Sequence, residues 1–494
     1  MWDFSSVRTT VDTSHLYRRY NLRFPSSLAS SALDFFHYDD ADLLRRFDAP
    51  HAWCDERLAG GYDPYQKSLE GAVGTRVSAR LRDGTSVQGV NLASQDYLSL
   101  ASSPEARAAA IAAVEAEGVH SAGSAALMGI TNGSLQLERE LADFTGFLDC
   151  TVFPIAWAAG YGVITALVRP QDHVVIDVLA HACLQEGARS ATSNVHKVPH
   201  LKSSGVERRL RKIRQASPEV GILVVTETLF SMDSDSPRIA ELQELCRKYS
   251  ATLLVDCAHD LGALGETGRG VLEEQGLVGQ VDLLMGSFSK VFGSPGGFVC
   301  ANTVSLKWGL RYSCGPSTFT NAMSPIQAAV VRSSLAMIRG DEGAARRERL
   351  LRNVNRLRGA LTRRGYQVLG RPSAVVPVIV GDVAYGRILT KHLLKRGAIV
   401  NLVEYPAVSP KSSRLRLQVM ADHTPEDVEE FVAILDAAEQ DARLEYDSFG
   451  AEPAEVDARD ALQDSMVVPK LPDSLQDSTV VPKYPRVPEK LSGT

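Results

Sequence analysis

Thr252-Leu253-Leu254-Val255-Asp256-Cys257-Ala258-His259 decides the fold. Its apolar residues do not alternate with polar ones, so the segment reads as a strand buried on both faces, and it runs straight into a carboxylate. Two other runs behave in the same way. Ile222 to Thr226 leads into Glu227-Thr228-Leu229-Phe230-Ser231-Met232-Asp233-Ser234-Asp235, and Val281 to Met285 leads into Gly286-Ser287-Phe288-Ser289-Lys290-Val291-Phe292-Gly293. Between the first two lies Ile239 to Tyr249, apolar at Ile239, Leu242, Leu245 and Cys246, which is a helical period. Strands alternating with helices predict an α/β fold with a mostly parallel sheet covered on both faces. Ligands of such sheets sit beyond the carboxyl ends of the strands, where the polar residues of all three segments fall.

Around this centre the chain divides by character. Residues 91–340 form the expected large domain, preceded by an N-terminal segment, 1–90. From about Asp341 an Arg-rich amphipathic helix (Arg346 to Leu361), the apolar run Ala374 to Val380 and a helix after Thr424 predict a smaller α+β domain over 341–445. Residues 446–494 turn to Pro, Ser, Asp and Val. There the unit Leu-Gln-Asp-Ser-x-Val-Val-Pro-Lys-x-Pro starts at Leu462 and again at Leu475, a composition expected to stay disordered.

A chain of 494 residues, 44% hydrophobic, can bury a sizeable core. Its net charge of -6 gives nucleic-acid binding little support, and Arg208, Arg209, Arg211 and Lys212 read as a solvated helix face. No stretch has the apolar length of a membrane span, and Met1 to Ser6 lack the pattern of a secretory leader. The seven cysteines include no C-x-x-C pair, so a reducing, cytoplasmic setting is expected.

Chemistry collects at the three strand ends. Lys290, flanked by hydroxyls and glycines, can form an imine with an aldehyde, while Ser287 and Ser289 can bind a phosphate; an exposed loop lysine is the bland alternative. Asp256 needs a cationic or donor partner if it is buried, and a protonated pyridine nitrogen is one. His259 and Ser231 can each reach a phenolic oxygen on the same ring.

In this order the three segments resemble the α-oxoamine synthases, the group of 8-amino-7-oxononanoate synthase, 5-aminolevulinate synthase, 2-amino-3-ketobutyrate CoA ligase and serine palmitoyltransferase. The resemblance runs from about Asn91 to Leu435. Asn91 to Leu100 (NLASQDYLSL) is similar to the family's N-D-Y-L-G-L, Gly118 to Gly129 to its Gly/Ser-rich turn, and Arg414-Leu415-Arg416 to its R-L-R. The resemblance implies a fold-type I pyridoxal-phosphate (PLP) transferase, normally a homodimer with shared active sites, and no metal. It implies that Lys290 carries PLP, that Asp256 faces the ring nitrogen, and that His181, in Ala180-His181-Ala182-Cys183, stacks on the ring. It also implies that Thr320 reaches the phosphate from the neighbouring subunit and that Arg416, with Arg414 as the alternative, binds the amino-acid carboxylate. His200 takes the place of the family's H-N-D histidine, here followed by Leu201 and Lys202.

The implied reaction is decarboxylative condensation of a small amino acid with an acyl thioester, on CoA or a carrier protein, to an α-aminoketone. Another PLP reaction on the same scaffold, or a non-catalytic partner subunit, is the alternative. The departures fall in the phosphate and substrate regions. Ile155-Ala156-Trp157-Ala158-Ala159-Gly160 replaces Ser-Gly-aromatic-x-x-Asn, so that backbone N–H groups around Ala156 and Trp157 are expected to hold the phosphate. Gln95, Ala125 and Ser134 replace an asparagine, an arginine and a histidine. With Gln95 and Ser134 as substrate-facing positions, the losses predict a neutral acyl group rather than a short acidic one.

Overall fold

A computed structural model of the protein describes residues 24–31, 34–35 and 40–449. The repeats that begin at Leu462 and Leu475 lie outside them. Strands β1 (Ser68–Leu69), β2 (Arg76–Arg80) and β3 (Ser86–Asn91) form an antiparallel meander. The large sheet follows, built from β4 (Asp149–Phe153), β5 (His173–Asp177), β6 (Val195–Val198), β7 (Ile222–Glu227), β8 (Thr252–Asp256), β9 (Leu283–Ser287) and β10 (Gly297–Ala301). Its order is β4-β10-β9-β8-β7-β5-β6. The pairs from β9 to β6 are parallel, and β10 runs antiparallel to both its neighbours. The C-terminal part contributes β11 (Val375–Gly381), β12 (Ala398–Ile399), β13 (Leu402–Val403) and β14 (Ser413–Gln418). Of these, β11-β14-β13 form a small antiparallel sheet, while β12 joins β3 in parallel and stitches the N-terminal strands to the C-terminal region.

The unbroken apolar runs are explained by a core on each face. Leu223, Val225 and Leu254 pack with Val163, Ile164 and Leu184 of helices Ala156–Leu167 and Ala182–Ala191. Val224, Leu253 and Val255 pack on the opposite side with Leu210, Leu242 and Cys246 of helices Ser203–Ala216 and Ile239–Lys248. All six residues of β7 are buried as a result.

The third run differs from its expected limits: β9 starts at Leu283 and continues through Gly286 and Ser287. The Asp282 carboxylate accepts the Leu253 N–H at 2.8 Å, and at the other end Ser287 pairs with Gly297 of β10, which the sequence reading passed over. In the C-terminal region the Arg-rich helix spans Asp341–Arg363 and the last helix Pro425–Ser448, opened by a capping box between Thr424 and Asp427. Alternation along β14 sends Leu415 and Leu417 into the main core and leaves Arg414, Arg416 and Gln418 on the other face. All seven cysteines are free thiols. Among the described residues no helix is long and apolar enough to cross a membrane.

Candidate active site

The register of the parallel pair β7·β8 sets Glu227 beside Asp256, so two carboxylates share one end of the sheet. Both are buried. Asp256 Oδ1 accepts the Ala258 N–H at 2.9 Å, and Glu227 Oε1 accepts the His181 N–H at 2.6 Å. Burial pushes both carboxyls upward; Asp256 pushes Glu227 further, whereas His181 and Lys290 favour the ionised form of Asp256. Lys290 follows β9 by three residues and is half-buried. Burial lowers its pKa, Asp256 opposes this and Arg416 adds to it. Its amine makes no hydrogen bond or ion pair with any described residue.

Across the site, His259 is buried and its Nδ1 lies 2.9 Å from the Tyr97 hydroxyl. Burial, then Lys290 and Arg416, hold its pKa well below the usual histidine range, so the ring is neutral at neutral pH. Arg416 lies in the same electrostatic neighbourhood, beside Tyr97, with Nε and Nη2 enclosed and without hydrogen-bond partners. The guanidinium of Arg414, two residues earlier, is fully engaged by the Asp233 carboxylate, the Met232 carbonyl at 3.2 Å and Ser412. Of the two arginines, only Arg416 has donors to offer a ligand.

His181 caps helix Ala182–Ala191: its Nδ1 accepts the Cys183 N–H and lies 3.1 Å from the Cys183 thiol, which leaves the imidazole exposed. The ring stands edge-on to Trp157, with centroids 5.9 Å apart. Ala156 opens the other helix on this face, whose N-cap residue, Ile155, supplies no side-chain acceptor to its first N–H groups. A Cβ on Gly297 would lie 2.6 Å from Ala156 Cα, so glycine at the start of β10 lets that helix end seat against the sheet. At the end of β9, Ser287 Oγ lies 3.2 Å from Ser289 Oγ.

Among the described residues, the side chains of the other expected positions make no hydrogen bond to these groups. Ser231 is buried in the loop after β7. Gln95 is half-buried beside Asp96, whose carboxylate accepts the Leu100 and Ala101 N–H groups. Ser134 spends its hydroxyl on Thr131 at the start of helix Asn132–Thr145, 3.0 Å away, which is a capping contact. Thr320 is exposed, and its hydroxyl donates to the Pro316 carbonyl at 2.6 Å. Sequence reasoning missed Glu227 and Tyr97. Both lay inside quoted segments, but a carboxylate after a strand and a tyrosine in an apolar stretch are ordinary without their partners.

These features fit pyridoxal phosphate. A buried carboxylate lacks a cation, an amine lacks a partner, and an imidazole face is open. An uncapped helix start and paired hydroxyls suit a phosphate, and two orphan guanidinium nitrogens suit a carboxylate.

The comparisons agree. The family profile described as aminotransferase class I and II matches residues 87–435. The 8-amino-7-oxononanoate synthase of Pectobacterium atrosepticum is 33% identical over 351 residues, 71% of this chain and 89% of that protein. The enzyme of the same name from Geobacter sulfurreducens is 34% identical over 369 residues, 75% and 93% of the two chains. Among solved structures, the serine palmitoyltransferase of Sphingomonas wittichii superposes with a TM-score of 0.76 at 30% identity, covering 82% of this chain and 100% of the other. A serine palmitoyltransferase from S. paucimobilis, solved with bound PLP–myriocin aldimine, gives the same TM-score and coverage at 29% identity. With its mostly parallel sheet, its lysine beyond β9 and its carboxylate at the end of β8, the chain belongs to the aminotransferase class I and II family, in the α-oxoamine synthase group.

Proposed function

We propose that the protein joins a small amino acid to an acyl thioester with loss of CO2, giving an α-aminoketone, with pyridoxal phosphate held at Lys290. The observation that carries this reading is Arg416: it has two buried donors without partners, and its charge acts on Lys290 and His259. A planar fork of this kind takes a carboxylate in two hydrogen bonds. When bound, the cofactor supplies an aldehyde that takes up an amine and a protonated ring that accepts the electron pair released at the amino acid's α-carbon.

The chain's own residues do the rest. Asp256 would hold a proton on the ring nitrogen, because a buried carboxylate is stabilised by such a cation. Arg416 fixes the amino acid by its carboxylate. Lys290 Nζ, whose pKa burial lowers, would take the α-proton. His181 would pack on the ring, and neutral His259, tied to Tyr97, would hydrogen-bond the ring oxygen together with Ser231. Ser287, Ser289 and the N–H groups at Ala156 and Trp157 would hold the phosphate. Residues 91–340 are the cofactor-bearing domain in this reading, and 341–445 the smaller one.

A second copy completes the site in the same reading, with Thr320 reaching the partner's phosphate. Phe319, Leu127 and Met128 are 87%, 85% and 88% exposed, and the Ser124–Asn321 bridge brings their loops together as an apolar face for that copy. The acyl group is neutral and of medium or long chain, because Gln95 and Ala125 carry no charge and Ser134 is turned to Thr131. A carrier-bound thioester and a cytoplasmic setting belong to the same proposal.

Release of CO2 and free thiol, followed for each small amino acid against a series of thioesters, tests the reaction. Neutral medium or long acyl thioesters are expected to show higher kcat/KM than succinyl or pimeloyl thioesters. Amino-group transfer without release of CO2 would overturn the reading, and a preference for acidic thioesters would overturn its acyl part.

A further inference from the structure

His200 lies outside the chemistry above, yet it is the hub of a closed polar network. Its Nδ1 lies 2.9 Å from Asp177 Oδ1 at the end of β5, and its Nε2 lies 3.1 Å from Asp235 Oδ2 in the loop after β7. The Phe230 ring meets it edge-on at 4.5 Å. Asp235 closes the loop through its carbonyl, which accepts the Phe230 N–H at 2.9 Å, and the Phe230 carbonyl accepts the Ser234 N–H at 2.9 Å. The same loop grips the C-terminal region. Asp233 pairs with Arg414, the Ser234 carbonyl accepts the Arg371 N–H at 2.8 Å, and Ser234 Oγ lies 2.7 Å from Ser373 Oγ. Arg416 lies two residues beyond Arg414 on the same face of β14. His200, Asp233 and Asp235 bring ligand atoms within 4.8 Å of one another, but these atoms are already engaged by Asp177, Arg414 and the imidazole itself.

We propose that His200 is a positioning residue for the amino-acid subsite: by tying Asp235 to Asp177 it sets the 230–235 loop, which through Asp233 and Arg414 sets the strand that presents Arg416. His200 touches neither substrate nor cofactor in this scheme. Burial opposes its charge, but Asp177 and Asp235 outweigh burial, so the imidazole acts as a cation between two carboxylates. The histidine therefore works as a fixed brace and not as a proton carrier.

The inference rests on Arg416 binding the amino-acid carboxylate, and the test separates the two claims. Purified holoprotein is titrated with glycine, L-alanine and L-serine in turn, the change in cofactor absorbance giving a Kd without turnover. Arg416→Lys is expected to weaken binding of the amino acid that the wild type prefers; an unchanged Kd would defeat the carboxylate assignment itself. His200→Ala is expected to raise the same Kd roughly three- to thirtyfold, with KM for the acyl thioester unchanged within about twofold and Kd for pyridoxal phosphate raised by much less, since Ser231 on the same loop is one of several cofactor contacts. Asp235→Asn removes the charge and keeps an acceptor, and serves if His200→Ala does not fold; it is expected to shift the Kd in the same direction by less. If Arg416→Lys weakens the amino acid and the His200-network variant does not, the positioning role is wrong. Equal losses of cofactor, acyl substrate and amino acid would also overturn it, because they describe a merely structural histidine.

Discussion

Asp256 and Glu227 pose the central question at the scale of the residue: two carboxylates side by side on adjacent strands, both buried, with few donors between them. Such a pair calls for an outside cation, and in the proposed reading a protonated ring nitrogen at Asp256 would provide it. Asp256→Asn is therefore expected to retain cofactor but lose about a hundredfold or more in kcat, because an amide cannot hold that proton; near-normal turnover would contradict the role. A second prediction follows from His200, whose pKa Asp177 and Asp235 raise to about 10 against the effect of burial. A raised pKa contributes stability that is fully present below the unfolded value of 6.5 and is lost as pH rises through about 10. In thermal unfolding, the gap between wild type and His200→Asn should be widest at and just below pH 6.5 and narrow steadily as pH rises towards about 10. A gap that does not change with pH would remove the ion pairs from the account.

At the scale of the element, the loop after β7 is the joint between the large sheet and the C-terminal region, and Gly370 shows how tightly it fits. Gly370 has φ +63, and a Cβ there would lie 2.1 Å from the Asp233 carbonyl oxygen and 2.3 Å from that of Ser234. These are backbone atoms that cannot swing aside, so Gly370→Ala is expected to destabilise the fold and displace Asp233 from Arg414. Its effect on amino-acid Kd should resemble that of His200→Ala; a well-folded variant with unchanged Kd would break the proposed chain. The elements differ in how well they could be read from sequence. β7 and β8 were legible because both faces are buried and the apolar run is therefore unbroken. β10 was not, since five residues after a glycine-rich turn carry no period of their own and its antiparallel pairing to β4 and β9 is a long-range choice. The choice between Arg414 and Arg416 could not be made locally either. Both lie on one face of one strand, and what removes Arg414 is Asp233, distant in sequence.

For the molecule as a whole, the sheet acts as a rack: β5, β7, β8 and β9 deliver Asp177, Glu227, Asp256 and Lys290 to one end, and β14 brings Arg416 across from the C-terminal region. The places of Lys290 and Asp256 were legible in the sequence, because Asp256 ends β8 and Lys290 lies three residues past β9, strands whose direction is fixed by parallel pairing. The surroundings of Arg416 were less so, since Tyr97 reaches His259 and Arg416, and Asp233 reaches Arg414, only through tertiary contacts. The measurement that tests the central claim most directly is borohydride reduction of the purified, yellow holoprotein, followed by digestion and mapping of the fixed cofactor. The account predicts one modified peptide with phosphopyridoxyl on Lys290 and none in Lys290→Ala; fixation on any other lysine would contradict it.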